Sequence, residues 1–596
     1  MDNYNFLTIS DITYHPFIAL LFNLLMIVSI NMISYQICKL KLGVNTFNII
    51  CANLIIIFFI ISFFQFVYFF NFYPRFSGKI FSYFILILGI ISLISSKILK
   101  KKINFKLEKN FFYIYIFLLL YFFLSISGVT DIDSIDYHLG IPLEWYRNES
   151  FFPRFDWLHF RGASLGEILN LFGLHFGSDN FGQLIQFSGL LIVLLSTKKY
   201  LNDENFFIFS ILILGCPVLI FLTSTQKYQL FASSLIYFSL LLSLLNNKNF
   251  NKFYLITILL SLSFCITIKV NYLIPAFFIF IFCVYTSIKN NEFFFLLLLS
   301  IFSFFIIAFP HYYKNFLFYG DPVTPLLEDF KKISDPVILE FLRLEKNFAF
   351  NQNEIFLTKF LKLFFTIDPG NISRALGLGF IGIFLIRFSK INGDLKIIYL
   401  FIASVFFIYL MTFIGMGRYY LEVFFSLSLL IALNYKSLKL KKFFSFLVIL
   451  QSIIVFLSIG YGVYFLSPSA ISKSKSTEVK IIAAEGYDLY NKVDLILPEE
   501  SKLFINNSRG YSLVPREFVS NKYFKISKSL GLVTNPDNII KDKKITHIIS
   551  KNENYQSNCI FKKYKHKIST HRSSRNPFNS RSKVTFYIHE VDKKKC

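Results

Sequence analysis

Long apolar blocks divide this chain, and short polar links join them. The stretches around 47–70, 206–222, 293–309 and 443–466 carry no charged residue. About 20 apolar residues cross a bilayer as helix. Inside lipid every backbone donor and acceptor must pair locally, so such blocks predict helices and not open strands. On the length rule about fourteen crossing segments are predicted: 16–37, 47–70, 79–98, 111–127, 179–197, 206–222, 229–245, 253–268, 270–288, 293–310, 371–388, 397–414, 419–434 and 443–466. The pattern changes near residue 467. From 470 to 596 the chain is polar and mixes short β-like runs (LFINN, ITHIIS, VTFYIHEV) with turn residues. The expected fold class is an all-α polytopic membrane protein with a small C-terminal soluble α/β domain. Three parts are expected: additional N-terminal transmembrane helices over 1–110, a transmembrane core over 111–466 with large loops at 128–178 and 311–370, and the soluble domain over 467–596.

Composition agrees. Of 596 residues, 55% are hydrophobic and 16% charged, against about a quarter charged in soluble chains. The 79 Phe suit lipid-facing positions. A net charge of +25 would suggest nucleic acid in a soluble protein, but cytoplasmic loops are enriched in Lys and Arg, so no nucleic-acid partner is expected. The basic links are 97–109, Lys198/Lys199, Lys248/Lys252, Arg387/Lys390 and Lys436/Lys439/Lys441/Lys442. With these facing the cytoplasm of a plasma (inner) membrane, the N-terminus, the loops 128–178, 223–228, 311–370 and 415–418, and the tail lie outside. The start, MDNYNFLTISD, lacks the basic opening of a cleavable signal peptide. Five cysteines sit in or beside apolar blocks; Cys559 and Cys596 are the two that an oxidising compartment would allow to pair.

The outer loops carry the candidate chemistry. After the fourth crossing, Asp131, Asp133 and Asp136 fall within six residues and are followed by Tyr137 and His138. A carboxylate is costly in the bilayer but tolerable at a watery rim, where its neighbours can tune it toward general-base work. The plainer alternative is a solvated loop end. Four other outer segments carry cations: Lys227 in TSTQKYQ, Lys269 in CITIKVNYLIP, Lys314 with Asp321 in HYYKNFLFYGDPVTPLLEDF, and Arg418 in GMGRYYLEVF. Topology predicts few cations in short outer turns. Each alone reads as a snorkelling side chain; the set suits a phosphate-bearing lipid headgroup, with Lys as a point charge and Arg as a fork. No metal-ligand spacing is present, and no metal or cofactor is expected.

DIDSIDYHLGIP resembles the first outer loop of the GT-C superfamily of polytopic membrane glycosyltransferases, in the bacterial branch with the protein-mannosyltransferase-like and aminoarabinose-transferase-like enzymes. There an Asp stands four residues before Tyr-His-Leu, which places Asp133 before Tyr137, His138 and Leu139. ITIKVNYLIPA is similar to that branch's Lys-containing helix end, FYGDPVTPL to its Gly-Asn-Pro-x-x-Pro loop with Asp321 in place of Asn, and MGRYYLEVF to its Arg-Tyr helix start. The four occur in order over roughly 110–430.

The resemblance implies inverting transfer of a hexose or pentose from a polyprenyl-phosphate donor to an extracytoplasmic acceptor of unknown class (glycan, lipid or protein). Asp133 would be the general base, with Asp136 or Glu167 as second carboxylate. His138 would orient the loop or touch the sugar, Lys227, Lys269 and Arg418 would hold the leaving phosphate, and Tyr137, Lys314, Asp321 and Tyr419 would be further substrate-binding residues. The rival readings are a transporter or flippase, and a polymerase, of lipid-linked glycans. A flippase calls for related halves or mid-helix carboxylates, and neither stands out in the sequence.

Overall fold

The computed structural model describes residues 6–96, 111–350, 356–364, 374–386, 394–411, 416–506, 508–532, 536–560, 564–571, 583–592 and 594–595. The basic link 97–109 and Cys596 lie outside the described residues. Eight described helices are long and apolar enough to cross a membrane: Pro16–Leu42, Thr46–Phe69, Pro74–Ser95, Phe181–Lys198, Gln229–Lys248, Val270–Lys289, Phe293–Tyr319 and Lys441–Ala470. Four shorter apolar helices join them: Phe112–Ser125, Lys252–Ile268, Lys396–Tyr409 and Leu421–Leu433. The chain is a multi-pass membrane protein.

Local sequence sets the ends of these helices. Asn45 accepts from the Asn48 amide at 2.9 Å and caps the second long helix. Pro16 and Pro74 occupy first-turn positions where no amide is needed. Gln229–Lys248 is buried along nearly its whole length and forms the centre of the bundle. It packs against Phe181–Lys198, where a Cβ on Gly189 would lie 2.9 Å from the Phe231 Cα. The outer helices instead present Phe59, Phe66, Phe84, Phe294, Phe302 and Leu457 outward, as a lipid solvent demands.

Three predicted crossings differ. The run 206–222 is two helices, Asp203–Leu214 and Val218–Thr223, because Pro217 has no amide for the helix ladder. The run 371–388 is, over its described part, a 3-10 helix at Leu378–Phe384. Gly377 at φ +102° leaves helical space, and a Cβ on Gly382 would lie 2.2 Å from Ile431, so this apolar run packs on the bundle without being an α-helix. The run 293–310 continues through a π-turn at Phe304–Ala308 to Tyr319, which puts Lys314 on a helix and not in a loop.

Beyond Ala470 the tail folds as helices and a five-stranded sheet. Its strands are β1 (Lys502–Ile505), β2 (Glu517–Ser520), β3 (His547–Ser550), β4 (His566–His571) and β5 (Lys583–Glu590), in the order β2-β1-β3-β5-β4. β1 is parallel to β2 and to β3, and β5 is antiparallel to β3 and to β4. The loops after the carboxyl ends of β1 and β2 meet the membrane part, where ligand-binding loops of open α/β sheets gather. Ser512 Oγ donates to the Ile135 carbonyl at 2.5 Å, and Ser520 N to Asp156 Oδ2 at 2.7 Å.

Candidate active site

The acidic loop folds as a π-helical turn, Ser134–His138, opening directly after Asp133. Asp131 fixes its start: its Oδ2 accepts from the Ser134 amide at 3.0 Å and the Ser134 hydroxyl at 2.9 Å. The next two carboxylates turn into a cluster of cations. Lys227 Nζ donates to Asp133 Oδ2 at 2.7 Å and lies 3.6 Å from Asp131 Oδ2. Arg509, from the loop after β1, donates through Nη2 to Asp133 Oδ1 at 2.7 Å and through Nε to Asp136 Oδ2 at 3.3 Å. Asp136 is fully buried and its Oδ1 accepts from the Gly510 and Tyr511 amides at 3.1 and 3.4 Å. Asp133 keeps 27% of its side chain exposed, so it is the carboxylate a substrate can reach. Burial would raise its pKa, but Lys227 and Arg509 outweigh burial and hold it well below the usual carboxylate range.

His138 and Glu167 form a second pair, 2.5 Å apart from Nδ1 to Oε1. Glu167 Oε2 accepts from the Ser164 amide and hydroxyl at 2.6 and 2.5 Å. Glu167 therefore holds the turn ahead of its own helix with one oxygen and orients the imidazole with the other. Asn170 donates to the His138 carbonyl at 2.7 Å and accepts from Tyr228 at 2.7 Å, which fixes this turn against the central helix.

A third group lies at the helix ends beside the loop. Lys269 Nζ donates to the Tyr419 hydroxyl at 3.1 Å and sits 4.6 Å over the same ring; the Arg418 guanidinium stands 5.4 Å from that ring's centroid. No carboxylate lies within ion-pair distance of Lys269 or Arg418 among the described residues. Arg418 Nε is buried and lacks a hydrogen-bond partner among them, a rare condition for a charged donor. Arg418 is near enough to Asp133 to feel its charge, and Lys269 to feel Lys227 and Arg418.

The structure thus brings together Asp133, Asp136, Tyr137, Lys227, Lys269, Arg418 and Tyr419, with His138 and Glu167 alongside. Lys314 lies within electrostatic reach of Glu167, and Asp321 stands apart. Lys314 Nζ lies 4.9 Å over Trp145 and 5.1 Å over Phe151. Asp321 accepts from the Val323 and Leu327 amides at 2.9 and 3.0 Å and so shapes its own turn. Among the described residues no group of three His, Cys, Asp or Glu side chains is placed to hold a metal ion.

The family model of the DUF1420 N-terminal domain matches residues 93–480. The chain belongs to the DUF1420 family. No curated protein matches it in sequence. Among solved structures it is similar to ArnT from Cupriavidus metallidurans. The structure bound to undecaprenyl phosphate has TM-score 0.45 and 11% identity, with 80% of this chain and 97% of that one covered. The apo structure has TM-score 0.45 and 12% identity, with 73% and 92% covered. A likeness at this level says nothing of activity.

The DUF1420 match spans the acidic loop, Lys227, Lys269 and Arg418 but ends before Arg509, the cation that closes on Asp133. Sequence reasoning missed Arg509, which sits in a polar tail with no motif around it. It also missed Glu422, buried in the first turn of Leu421–Leu433 in this DUF1420 chain. Tyr409 donates to Glu422 Oε1 at 2.7 Å and Ser233 to Oε2 at 2.9 Å. Tyr409 also reaches the Asn271 carbonyl at 3.3 Å, so Glu422 ties the turn behind Lys269 to two neighbouring helices. A carboxyl inside an apolar run is a signal that could have found it.

Proposed function

We propose that this chain is a membrane glycosyltransferase that moves a sugar from a polyprenyl-phosphate donor to an extracytoplasmic acceptor, with inversion at the anomeric carbon. One observation carries the reading: a reachable ionised carboxylate, Asp133, stands beside two cations, Lys269 and Arg418, that have no carboxylate partner among the described residues. The four sequence motifs resembling the GT-C superfamily support it.

The acceptor oxygen bonds to the anomeric carbon as the bond from that carbon to the donor phosphate breaks. The acceptor's proton goes to Asp133, and the electron pair leaves on the polyprenyl phosphate. Lys269 and Arg418 stabilise that departing charge; preorganised cations do this without reorganisation during the reaction. With both oxygens engaged, Asp133 is a weak base at rest. Arg509 lies on the soluble domain and is 40% exposed, which makes it the partner able to release an oxygen when the acceptor arrives. Lys227 then keeps the carboxylate ionised and aimed. His138, fixed by Glu167, orients the sugar.

The test is transfer of label from a radiolabelled polyprenyl-phosphate sugar in membranes. Asp133→Asn is expected to lower transfer by about 10²–10⁴-fold, the usual worth of general-base help, with the protein still inserted. A variant that retains near-normal transfer refutes the assignment. Label that crosses the membrane without a new glycosidic bond supports a flippase instead.

A further inference from the structure

We propose that His159, Glu345 and Lys522 form the acceptor subsite, and that the acceptor presents the uncharged hydroxyls of a glycan. The proposal rests on the transferase reading above and names the class of its second substrate.

The three residues come from distant segments and meet beside the acidic loop. Lys522 Nζ lies 3.1 Å from His159 Nε2 and 4.0 Å from Glu345 Oε1, and His159 Nε2 lies 3.6 Å from Glu345 Oε1. The His159 ring stacks on Tyr137 at 4.9 Å and 21°, and Tyr137 is four residues from Asp133. Glu345 and Lys522 both lie within the electrostatic reach of Asp133. Glu345 is half exposed and Lys522 more than a third, so the group opens to solvent on the same side as the reachable carboxylate.

Docking does not need these charges. Leu158, Val337, Ile338, Phe341 and Ile526 form a separate apolar cluster that joins the loop, the helix Pro336–Phe350 and the soluble domain. Leu158 adjoins His159, Phe341 is one turn before Glu345, and Ile526 is one turn after Lys522. Phe341 also lies 4.9 Å under the Lys522 ammonium and 5.6 Å from the His159 ring. Burial of this cluster holds the segments together, while exposed ion pairs add little to docking. The polar groups are surplus to the fold and preorganised above an apolar base.

Their chemistry selects the ligand. The carboxylate accepts, the ammonium donates, and a ring nitrogen facing Lys522 is an acceptor in neutral imidazole. The charges of Glu345 and Lys522 cancel, and Asp133 and Asp136 lie nearby. Lys227 and Arg509 are already engaged by those two carboxylates, so no free cation is left here for an anionic acceptor, whereas vicinal hydroxyls, each donor and acceptor at once, satisfy all three groups. Lys269 and Arg418, which have no carboxylate partner among the described residues, take the phosphate on the donor side.

The full chain in lipid vesicles is assayed with radiolabelled polyprenyl-phosphate hexoses as donors and methyl glycosides as acceptors. Glu345→Gln and Lys522→Met are each expected to raise the acceptor KM about tenfold or more, with donor KM and kcat within about threefold, the pattern of lost ground-state binding. Acceptor KM unchanged in both variants overturns the proposal, as does an equal rise in donor KM. Wild-type transfer to phospholipid but to no methyl glycoside also overturns it. Wild-type protein that turns over no donor defeats the transferase reading itself, and the subsite with it.

Discussion

In the acidic loop Asp133 and Asp136 have both oxygens occupied, by Lys227, by Arg509 and by two backbone amides. In the neighbouring cation turn, Lys269 and Arg418 share one phenol ring and, among the described residues, no carboxylate. Both regions concentrate charge at one end of a helical bundle, where dehydration is costly. The first closes its electrostatics within the protein; in the second, against the upward pull of burial, the two cations push the Tyr419 phenol down to about 7, and even an ionised phenol leaves one positive charge for something else to neutralise. Paired charge sets geometry, and unpaired charge marks a place for a ligand. The two are therefore expected to answer substitution differently, one in stability and the other in affinity.

The largest effect belongs to the acidic loop. Lys227 is buried, and its removal leaves Asp131 and Asp133 without their shared cation. Stripping one partner from a buried pair costs about 3–5 kcal/mol; Arg509 remains on Asp133, so the lower end of that range is expected for Lys227→Met. Unfolding of the detergent-purified protein in denaturant measures this, and an unchanged midpoint would separate the loop's geometry from its ion pairs. The pH dependence follows the same pairing. Asp133 titrates below its unfolded value in the folded chain, so its stabilisation is complete above the ordinary carboxylate range and is lost as pH falls through the lowered value. In Lys227→Met that loss moves to higher pH.

The middle effect belongs to the cation turn. Arg418→Ala is expected to weaken binding of polyprenyl phosphate about tenfold to a hundredfold, the worth of one charge-assisted hydrogen bond, with unfolding almost unmoved. Titration of the full chain with that lipid checks it. A stability loss with unchanged affinity would make the turn a second structural pair and erase the contrast.

Much of this was legible in the sequence, for reasons that also explain what was not. Uncharged blocks of bilayer length predicted helices because lipid leaves no alternative. The run 371–388 misled because apolar length was counted and its glycines were not: Gly377 turns the backbone left-handed, and Gly382 lets it press on Ile431. Lys269 and Arg418 stood out because cations in short turns expected to lie outside defy the topological bias, and Tyr419 entered only with the resemblance of MGRYYLEVF. Asp321 shared their loop-end setting, yet its short side chain found two backbone amides first. Arg509 was illegible. It meets Asp133 across 376 positions, and nothing local distinguishes it among the chain's 61 Lys and Arg. Only the sheet, which aims the loop after β1 at the bundle, gives it a role.

The smallest effect tests the cation turn from the other side. Tyr419→Phe removes the oxygen that accepts from Lys269 but keeps the ring beneath both cations. The ring–cation attraction, about 0.5–1 kcal/mol at such sites, persists, and the lost hydrogen bond is worth about 1 kcal/mol. Stability should therefore fall by about 1 kcal/mol. Affinity for polyprenyl phosphate should stay within about threefold, since the anion is held by the two cations and the phenol only spaces them. A much larger loss of stability would mean that the Tyr419 oxygen carries the balancing negative charge. The cation turn would then be half closed within the protein, with one of its two positive charges left for a phosphate.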